Sequence, residues 1–229
     1  MKIAVISDIH GNFPALEAVL KDIRKEQPDV IYCLGDLVGY YCMINEVIEA
    51  IRDCKIKTLL GNHDFALLYT KGVIERSKTC TRVLSRQLVD IKKENFDFLS
   101  TLERYIQFNI NQESFYCVHG GLEDPVDEYI GVLTEEYFEK NEFRYDVLIS
   151  GHTHYPRNDI IGKKKYLNPG SVGQPRDGNP AASYLLIENT KYTHKRVSYN
   201  INSIADEMRK KNYEPYIYEI LYKGIKIGG

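Results

Sequence analysis

The sequence lacks the features that mark a membrane protein, a disulfide-stabilised protein or a thiolate metal site. Its five cysteines, among 229 residues, are odd in number and form no Cys-x-x-Cys pair. That argues against a disulfide framework and against zinc held by sulfur. No apolar stretch reaches membrane-spanning length, and the apolar run in MKIAVISDIHG meets polar residues too soon for a secretory signal. We therefore expect a cytoplasmic protein with reduced thiols and no membrane partner.

The sequence also lacks a strong excess of either charge. Its formal net charge is -2 and its pI is near 6.3. A protein that holds nucleic acid by bulk electrostatics needs a strongly basic surface, so we expect no stable nucleic-acid partner. A G-x-x-x-x-G-K-[ST] loop, a dinucleotide fingerprint and the sequence context of a serine or cysteine nucleophile are missing too. Several classes of nucleotide-binding and covalent-intermediate enzymes are thereby disfavoured.

What is present is an alternation of apolar runs and amphipathic segments. The runs KIAVIS, VIYCLG and IKTLL predict buried strands, and the segments NFPALEAVLKDIRKEQ and NEVIEAIRDC predict helices with Asn12 and Asn45 as N-caps. This order favours a mainly parallel sheet. Residues 65 to about 104 show helical spacing without a strand pattern, which predicts a helical insertion.

The second half of the sequence contains six further strand candidates. They are RYIQFNI, SFYCVHG, YDVLISG, KKYLNPG, ASYLLIEN and YTHKRVSY, and the Asn111-Gln112 turn predicts a hairpin between the first two. Two sheets within one α/β domain over residues 1–229 are therefore expected. The tail holds a helix and then tyrosines that either cover the core or serve an association surface, so a homo-oligomer stays open. These tyrosines are Tyr213, Tyr216, Tyr218 and Tyr222.

Polar side chains follow five of the predicted strands, at the point where each strand ends. In α/β sheets the carboxyl ends of the strands converge on one edge, which is where ligands bind. We therefore expect these side chains to form one site. They are Asp8, His10, Asp36, Asn62, His119, His152 and His154.

Each cluster by itself also has an ordinary structural explanation. A D-x-H pair suits a turn, His119 could be a buried core histidine, and His152 with His154 could lie in an exposed loop. Five of the six histidines, however, fall at strand ends beside glycine, in HGN, GNHD, HGG and GHTH. Glycine lets the backbone approach a ligand closely. The combination therefore favours a shared functional site.

The donors at these strand ends suit divalent transition metals. Four imidazoles, two carboxylates and an amide oxygen, without sulfur, favour Mn, Fe, Zn, Co or Ni, and manganese is the ion we expect. Seven ligands exceed the need of one tetrahedral ion, so two ions sharing Asp36 as a bridge are expected. Two such ions can hold a hydroxide between them and coordinate phosphate oxygens. The sequence thus points to hydrolysis of a phosphoester.

Three further residues are candidates for roles outside the ligand set. His63, beside Asn62, is the candidate general acid, and Asp64 either orients its ring or caps the following helix. Arg176 in GSVGQPRDG either binds a phosphate of the substrate or serves a tight structural loop.

Read in order, the motifs DxHGN, GDxVG, GNHD, VHG, GHTH and NPGSVG resemble the calcineurin-like metallophosphoesterase superfamily over about residues 1 to 200. Within it, LNPGSVGQPRDGNPAASY looks like the small bacterial and archaeal phosphodiesterases. The resemblance implies two mixed β-sheets packed as a sandwich and flanked by helices. It places His63 at the family's catalytic histidine position. It also assigns one metal to Asp8, His10, Asp36 and His154, and the other to Asp36, Asn62, His119 and His152.

Three functions follow as hypotheses. The first is a binuclear metal-dependent phosphoesterase that hydrolyses a phosphodiester or phosphomonoester of a small, nucleotide-like substrate. The second is a dinucleoside polyphosphate hydrolase, in which tyrosines near Asp36 stack a base. The third is a non-catalytic interaction module on the same fold, against which the complete set of ligands argues. The loop at Tyr40, Tyr41 and Cys42 is where the substrate preference is expected to differ from that of relatives.

Overall fold

A computed structural model describes residues 1–227 and contains ten strands in two five-stranded sheets. The first sheet has the strand order β10-β9-β1-β2-β3, and the second has the order β4-β5-β6-β8-β7. Both sheets are mixed, because parallel central pairs are flanked by antiparallel strands. The strands are β1 (Lys2–Ile6), β2 (Val30–Cys33), β3 (Lys57–Thr58), β4 (Tyr105–Ile110), β5 (Glu113–Val118), β6 (Val147–Ser150), β7 (Arg157–Ile161), β8 (Lys164–Asn168), β9 (Ala182–Glu188) and β10 (Lys191–Val197).

Helices cover the outer faces of the two sheets. Three of them, α3 to α5, occupy the stretch between β3 and β4 in which the sequence predicts a helical insertion. None of the helices within residues 1–227 has the length and hydropathy to span a bilayer. The helices are α1 (Phe13–Glu26), α2 (Ile44–Asp53), α3 (Asn62–Tyr69), α4 (Lys78–Asp90), α5 (Lys93–Leu99), α6 (Glu135–Lys140), α7 (Ile201–Lys210) and α8 (Pro215–Glu219), followed by a 3-10 turn, Ile220–Tyr222.

Alternation along the strands builds a core on each side of each sheet. In β1, Ile3 and Val5 face the second sheet, whereas Ala4 and Ile6 face the helices. In β5, Phe115 joins the core between the sheets, while Val118 packs on the outer side with α6. Successive strand side chains point to opposite faces, so this two-sided burial requires apolar residues at nearly every position. The predicted sandwich of two mixed sheets flanked by helices is confirmed.

The tail packs against the loop that follows β2. Helices α7 and α8 share a buried cluster with Tyr40, Tyr41 and Cys42. Of the tail tyrosines, Tyr213 and Tyr218 are buried and cover the core, whereas Tyr216 and Tyr222 are exposed. The tail therefore supports the wall of the loop beside Asp36.

Two local predictions need correction. Helix α2 begins at Ile44, and its N-cap is Met43, so Asn45 lies inside the helix. The Asn45 side chain instead bonds Asp90 and Lys92, which ties α2 to the α4–α5 connection. Strand β7 is absent from the prediction because its sequence, RNDII, is polar at an edge of the sheet, where one side of the strand is wet. The Asn12 cap is confirmed by its bond from the Ala15 N–H.

Candidate metal centre

The seven predicted ligands lie on loops that begin at the carboxyl ends of strands from both sheets. Asp8 and His10 follow β1, Asp36 follows β2 and Asn62 begins α3 after β3. The remaining three come from the second sheet, where one histidine follows β5 and two follow β6. These three histidines are His119, His152 and His154. The loops meet where the two sheets adjoin, so the site depends on the packing of one sheet against the other.

The backbone at most of these positions is in the left-handed region. Positive φ angles of 52° to 65° occur at five of the seven residues. This conformation is uncommon outside glycine and persists where surrounding structure enforces it, often at functional sites. The chain therefore turns sharply at the ends of three strands in order to aim side chains at one point. The five residues are Asp8, His10, Asp36, His152 and His154.

One group of donors is formed by Asp8, His10 and His154, which can hold a single ion together. The Nε2 atoms of His10 and His154 are 3.1 Å apart, and His154 Nε2 lies 3.3 Å from Asp8 Oδ1. Asp36 Oδ2 is 3.5 Å from His10 Nε2, which brings a second carboxylate to the same group. All four side chains are buried.

A second group of donors is formed by Asp36, His119 and His152. His119 Nε2 lies 3.4 Å from Asp36 Oδ2 and 3.1 Å from Asn62 Oδ1. Asp36 Oδ2 thus lies within 3.5 Å of an imidazole nitrogen from each group. This oxygen therefore lies close to both donor groups.

Backbone carbonyl groups fix the orientation of three of the imidazoles. The Nδ1 atoms of His10, His119 and His154 lie 2.9, 2.8 and 2.6 Å from the carbonyl oxygens of Val38, Leu34 and Gln174. A carbonyl oxygen only accepts, so each Nδ1 donates a proton. The Nε2 lone pair then faces the centre of the site, which is the arrangement that metal-binding histidines adopt.

The buried carboxylates and imidazoles of the site shift the pKa values of one another. Burial raises the pKa of Asp36, but the imidazoles of His119 and His63 outweigh it and hold that pKa well below its usual range. Burial lowers the pKa of His152 to about 3. At His119 burial is outweighed by Asp36, which raises the pKa to about 10. The carboxylates therefore favour positive charge at this point of the site.

One carboxylate oxygen of the site is buried without a hydrogen-bond partner among the described residues. Asp8 Oδ1 is buried and makes no hydrogen bond within residues 1–227. A buried carboxylate oxygen without a partner is costly, and a bound divalent ion removes that cost. Together with the inward-facing Nε2 atoms, this oxygen fits a cation with nitrogen and oxygen ligands.

His63 lies beside the ligands and faces a cavity of about 300 Å³. Its ring is 4.8 Å from the ring of His10, and its Nδ1 has no hydrogen-bond partner among the described residues. Burial, partly opposed by Asp36, lowers the pKa of His63 to about 4. The ring also lies close enough to His10 and Asp36 to share an ion with them. His63 is thus a neutral imidazole next to the centre, with one ring nitrogen unengaged.

Asp64 makes contacts that match the helix-cap alternative. Its carboxylate accepts hydrogen bonds from the backbone N–H groups of Asp36, Leu37, Val38 and Gly61, at 2.8 to 3.1 Å. The bond from Gly61 caps α3, and the other three hold the loop after β2. No hydrogen bond joins Asp64 to the His63 ring within residues 1–227, so Asp64 acts on the site through the backbone.

Two residues named in the sequence analysis and two that it missed line the cavity above the centre. Arg176 lines it together with Tyr40, whose ring packs edge-on against His10 at 4.6 Å. Tyr129 lies beside His152, with ring centroids 5.5 Å apart, and Lys226 enters from the tail. Neither Tyr129 nor Lys226 belongs to a motif, because each joins the site only through long-range packing.

The fold and the site define an α-β-β-α protein with a histidine- and aspartate-rich centre at the strand ends. A family model described as the calcineurin-like phosphoesterase superfamily domain matches residues 1–191. The chain therefore belongs to the calcineurin-like phosphoesterase superfamily, as its motifs indicated.

Two relatives and one crystal structure match most of the chain. Uncharacterized protein MJ0912 of Methanocaldococcus jannaschii is 36% identical over 241 residues, which cover 97% of this chain and 98% of that protein. Phosphodiesterase YfcE of Escherichia coli K12 is 27% identical over 189 residues, or 82% and 88% of the two chains. A metallophosphoesterase from Sphaerobacter thermophilus superimposes with a TM-score of 0.82 at 29% identity, covering 98% and 99%.

Proposed function

We propose that this chain is a binuclear metal-dependent phosphoesterase that hydrolyses a phosphodiester or phosphomonoester of a small molecule. The observation that carries the proposal is the position of Asp36 Oδ2, which lies between two groups of metal donors. Membership of the phosphoesterase superfamily and the similarity to a phosphodiesterase support the same reaction.

The proposed ligand sets divide the seven residues between two divalent ions, with manganese expected first and Fe, Zn, Ni or Co as alternatives. Bound ions of this kind lower the pKa of a shared water and neutralise charge on phosphate oxygens. The carbonyl groups that hold Nδ1 of His10, His119 and His154 keep the Nε2 lone pairs directed inward. One set is Asp8, His10, Asp36 and His154, and the other is Asp36, Asn62, His119 and His152.

His63 is the proposed donor to the leaving oxygen. It borders the cavity in which the substrate would lie, and its Nδ1 is buried without a hydrogen-bond partner within residues 1–227. Since its pKa is lowered to about 4 in the free protein, the neutral ring meets the substrate at neutral pH. The negative charge of the bound phosphoester raises that pKa, so the ring takes up a proton; the imidazolium then gives this proton to the leaving oxygen and returns to the neutral ring.

Asp64 and Arg176 are proposed to assist in different ways. Asp64 is a positioning residue, because its carboxylate holds the backbone of Asp36 and Gly61. Arg176 lines the cavity and is proposed to bind an anionic group of the substrate.

The test is hydrolysis of bis(p-nitrophenyl) phosphate and p-nitrophenyl phosphate by protein that has been stripped of metal and reloaded with Mn²⁺. We expect turnover that requires added metal, a large loss of kcat in Asp36→Asn, and a smaller loss in His63→Ala, because p-nitrophenolate leaves without needing a proton. Lys223→Gln, on the exposed surface of the tail, is the matched control and is expected to retain activity. Metal-independent turnover, or full activity in Asp36→Asn, would contradict the proposal.

A second candidate is a dinucleoside polyphosphate hydrolase. Two cationic side chains without ion pairs in residues 1–227, Arg176 and Lys226, line the cavity and favour a polyphosphate chain. Base stacking on Tyr41 is disfavoured because that ring is fully buried, whereas Tyr129 is half exposed. Faster cleavage of diadenosine tetraphosphate than of simple diesters would support this candidate, and equal or slower cleavage would eliminate it.

A further inference from the structure

Arg176 is a buried cation that no carboxylate neutralises within the described residues. Its side chain is only 8% exposed. Its Nε and Nη2 atoms donate to Gln174 Oε1 at 3.2 and 2.9 Å, and Nη2 also donates to the Tyr40 hydroxyl at 3.1 Å. Both acceptors are neutral. Burying a guanidinium group without a counter-charge costs free energy, which a bound anion would offset.

The neutral acceptors hold the guanidinium in a fixed position. Gln174 is itself fastened, because its N–H donates to Ser171 Oγ at 2.7 Å and its carbonyl accepts from His154 Nδ1 at 2.6 Å. Tyr40 is fixed by edge-on packing against His10. The residues that orient Arg176 are thus the same ones that contact the proposed metal ligands, so the distance between the cation and the centre is set by the fold.

Part of the guanidinium remains available to a ligand. Nη1 makes no hydrogen bond among residues 1–227, whereas Nε and Nη2 are both engaged. The free N–H groups of Nη1 belong to a side chain that lines the same cavity as His63 and His154. A planar guanidinium is suited to phosphate oxygens, and hydrogen bonds between two charged groups are stronger than neutral ones.

A second cation enters this cavity from the tail. Lys226 lines it and forms no ion pair within the described part of the chain. Arg76 lines it too, but Arg76 is paired with Asp127 at 2.5 Å. Arg176 and Lys226 are therefore the cations left for a ligand. The family model covers residues 1–191, and Lys226 lies beyond them. The family match therefore does not account for the part of the cavity lining that Lys226 contributes.

We propose that Arg176 and Lys226 form an anion subsite, distinct from the metal centre, that binds a second phosphate group of the substrate. The inference rests on the proposed function, in which the ions hold the phosphate that is cleaved. It names the substrate class as a small phosphoester with a further phosphate a few bonds from the scissile one. A cavity of about 300 Å³ fits such a molecule.

The experiment compares two inhibitors that differ by one anionic group. Methylphosphonate and propane-1,3-bisphosphonate are titrated against hydrolysis of bis(p-nitrophenyl) phosphate, and their binding to the Mn²⁺-loaded protein is measured by calorimetry. We expect the bisphosphonate to bind about tenfold or more tightly than the monophosphonate, because it adds charge-assisted hydrogen bonds. Ethane-1,2-bisphosphonate and butane-1,4-bisphosphonate then measure the spacing between the two anion positions.

Variants separate the subsite from metal chelation by the inhibitor. The advantage of the bisphosphonate is its affinity divided by that of the monophosphonate. In Arg176→Gln we expect this ratio to fall to about the value for a second phosphonate group that contacts only solvent. In Lys226→Gln we expect the ratio to fall in part. Arg176→Lys keeps the charge and serves if the glutamine variant does not fold. Lys223→Gln is the control in the same tail, since Lys223 is exposed and does not line the cavity. It is expected to keep the full advantage.

The outcomes distinguish this inference from the proposed function. An active wild-type enzyme that binds the two inhibitors equally overturns the subsite and leaves the phosphoesterase proposal standing. An advantage that persists unchanged in both Arg176 variants and in Lys226→Gln assigns it to the metal ions, which also overturns the subsite. Calorimetric preference for the bisphosphonate without metal-dependent hydrolysis of any ester would instead contradict the proposed function.

Discussion

His63 differs from the other histidines of the centre in its hydrogen bonds. His10, His119 and His154 each engage Nδ1 with a carbonyl oxygen, whereas Nδ1 of His63 is free within residues 1–227. A histidine held for metal binding has its second nitrogen fixed. Because no carbonyl oxygen fixes its Nδ1, the His63 ring is better suited to proton transfer than to structural ligation.

The first prediction follows from that difference. His63→Gln is expected to lower kcat by about 10²- to 10⁴-fold for esters with poor leaving groups, because these need a proton at the departing oxygen. For p-nitrophenyl esters the loss should be much smaller, since p-nitrophenolate departs without a proton. The measurement is kcat for a series of aryl and alkyl esters of graded leaving-group pKa. Equal losses across the series would mean that His63 binds substrate or metal instead.

The candidate ligands could be found in the sequence because each carries a local signature. Asp8, Asp36 and His119 stand directly after apolar strand runs, and glycine beside them marks a tight turn. The partners of Arg176 have no such signature. Tyr40 and Gln174 contact Arg176 across 136 and 2 positions of the chain, and only folding shows that both acceptors are neutral. The pairing with Tyr40 is long-range and leaves no periodic trace in a single sequence.

At the scale of elements, Asp64 connects the start of α3 to the loop after β2. Both of its carboxylate oxygens accept two backbone N–H groups each. Burial, reinforced by Asp36, raises the pKa of Asp64 to about 7, while the N–H donors oppose that shift. The carboxylate of Asp64 thus accepts hydrogen bonds from four backbone N–H groups.

The second prediction tests this connection. Asp64→Asn replaces one acceptor oxygen with an amide NH₂ group, which leaves backbone N–H groups unpaired, and should lower the free energy of unfolding by about 2 to 3 kcal/mol. We also expect weaker metal binding, because Asp36 loses a backbone anchor. Urea unfolding and a metal titration measure the two effects. Unchanged stability with a loss confined to kcat would favour direct orientation of His63.

A second connection joins helix α4 to the same loop. Gln87 is buried, and its amide donates to the carbonyl oxygens of Gly39 and Tyr41 while accepting from the Gly39 N–H at 2.8 Å. Gly39 has a φ of 94°, and a Cβ there would collide with the His63 ring. The helical insertion therefore determines where the loop with Tyr40 lies.

The third prediction is that Gln87→Leu loosens this loop. The substitution leaves the Gly39 N–H without a partner and should cost about 1 to 3 kcal/mol of stability. KM should rise more than kcat falls, since Gln87 holds the part of the loop that flanks Tyr40, at Gly39 and Tyr41, rather than the part at Asp36. Steady-state kinetics with bis(p-nitrophenyl) phosphate measure the split. Ser85→Ala, at an exposed position of the same helix, serves as the matched control. Equal behaviour of the two variants would contradict a specific role for Gln87.

Strands and helices with strong hydrophobic patterns could be predicted from the sequence. The ends of elements that depend on contacts with distant parts of the chain could not. Strand β1 and helix α1 follow directly from apolar spacing. Strand β3 covers only Lys57–Thr58, although IKTLL predicts a longer one, because the chain turns toward α3 as soon as it has paired with β2. The predicted cap of α2 was wrong because Asn45 bonds a distant connection rather than its own helix.

At the scale of the whole molecule, the candidate centre joins the two sheets. Asp8, His10, Asp36 and Asn62 come from the side of the first sheet, and the three remaining histidines come from the second. Bound ions would therefore add links between halves of the sandwich that are otherwise held by the apolar core between them. Loss of the ions should weaken the folded protein as a whole rather than one loop.

The fourth prediction concerns that coupling. A ligand that binds only the folded state stabilises it by about 2.7 kcal/mol at a concentration 100 times its Kd. For a chain of this length, that corresponds to a rise in Tm of about 5 to 10 °C. Removing metal with a chelator should lower Tm by this amount, and adding Mn²⁺ should restore it, as measured by scanning calorimetry. In Asp36→Asn the response should shrink, because the oxygen shared by both donor groups is altered. An equal response in that variant would place the stabilising ion elsewhere in the molecule.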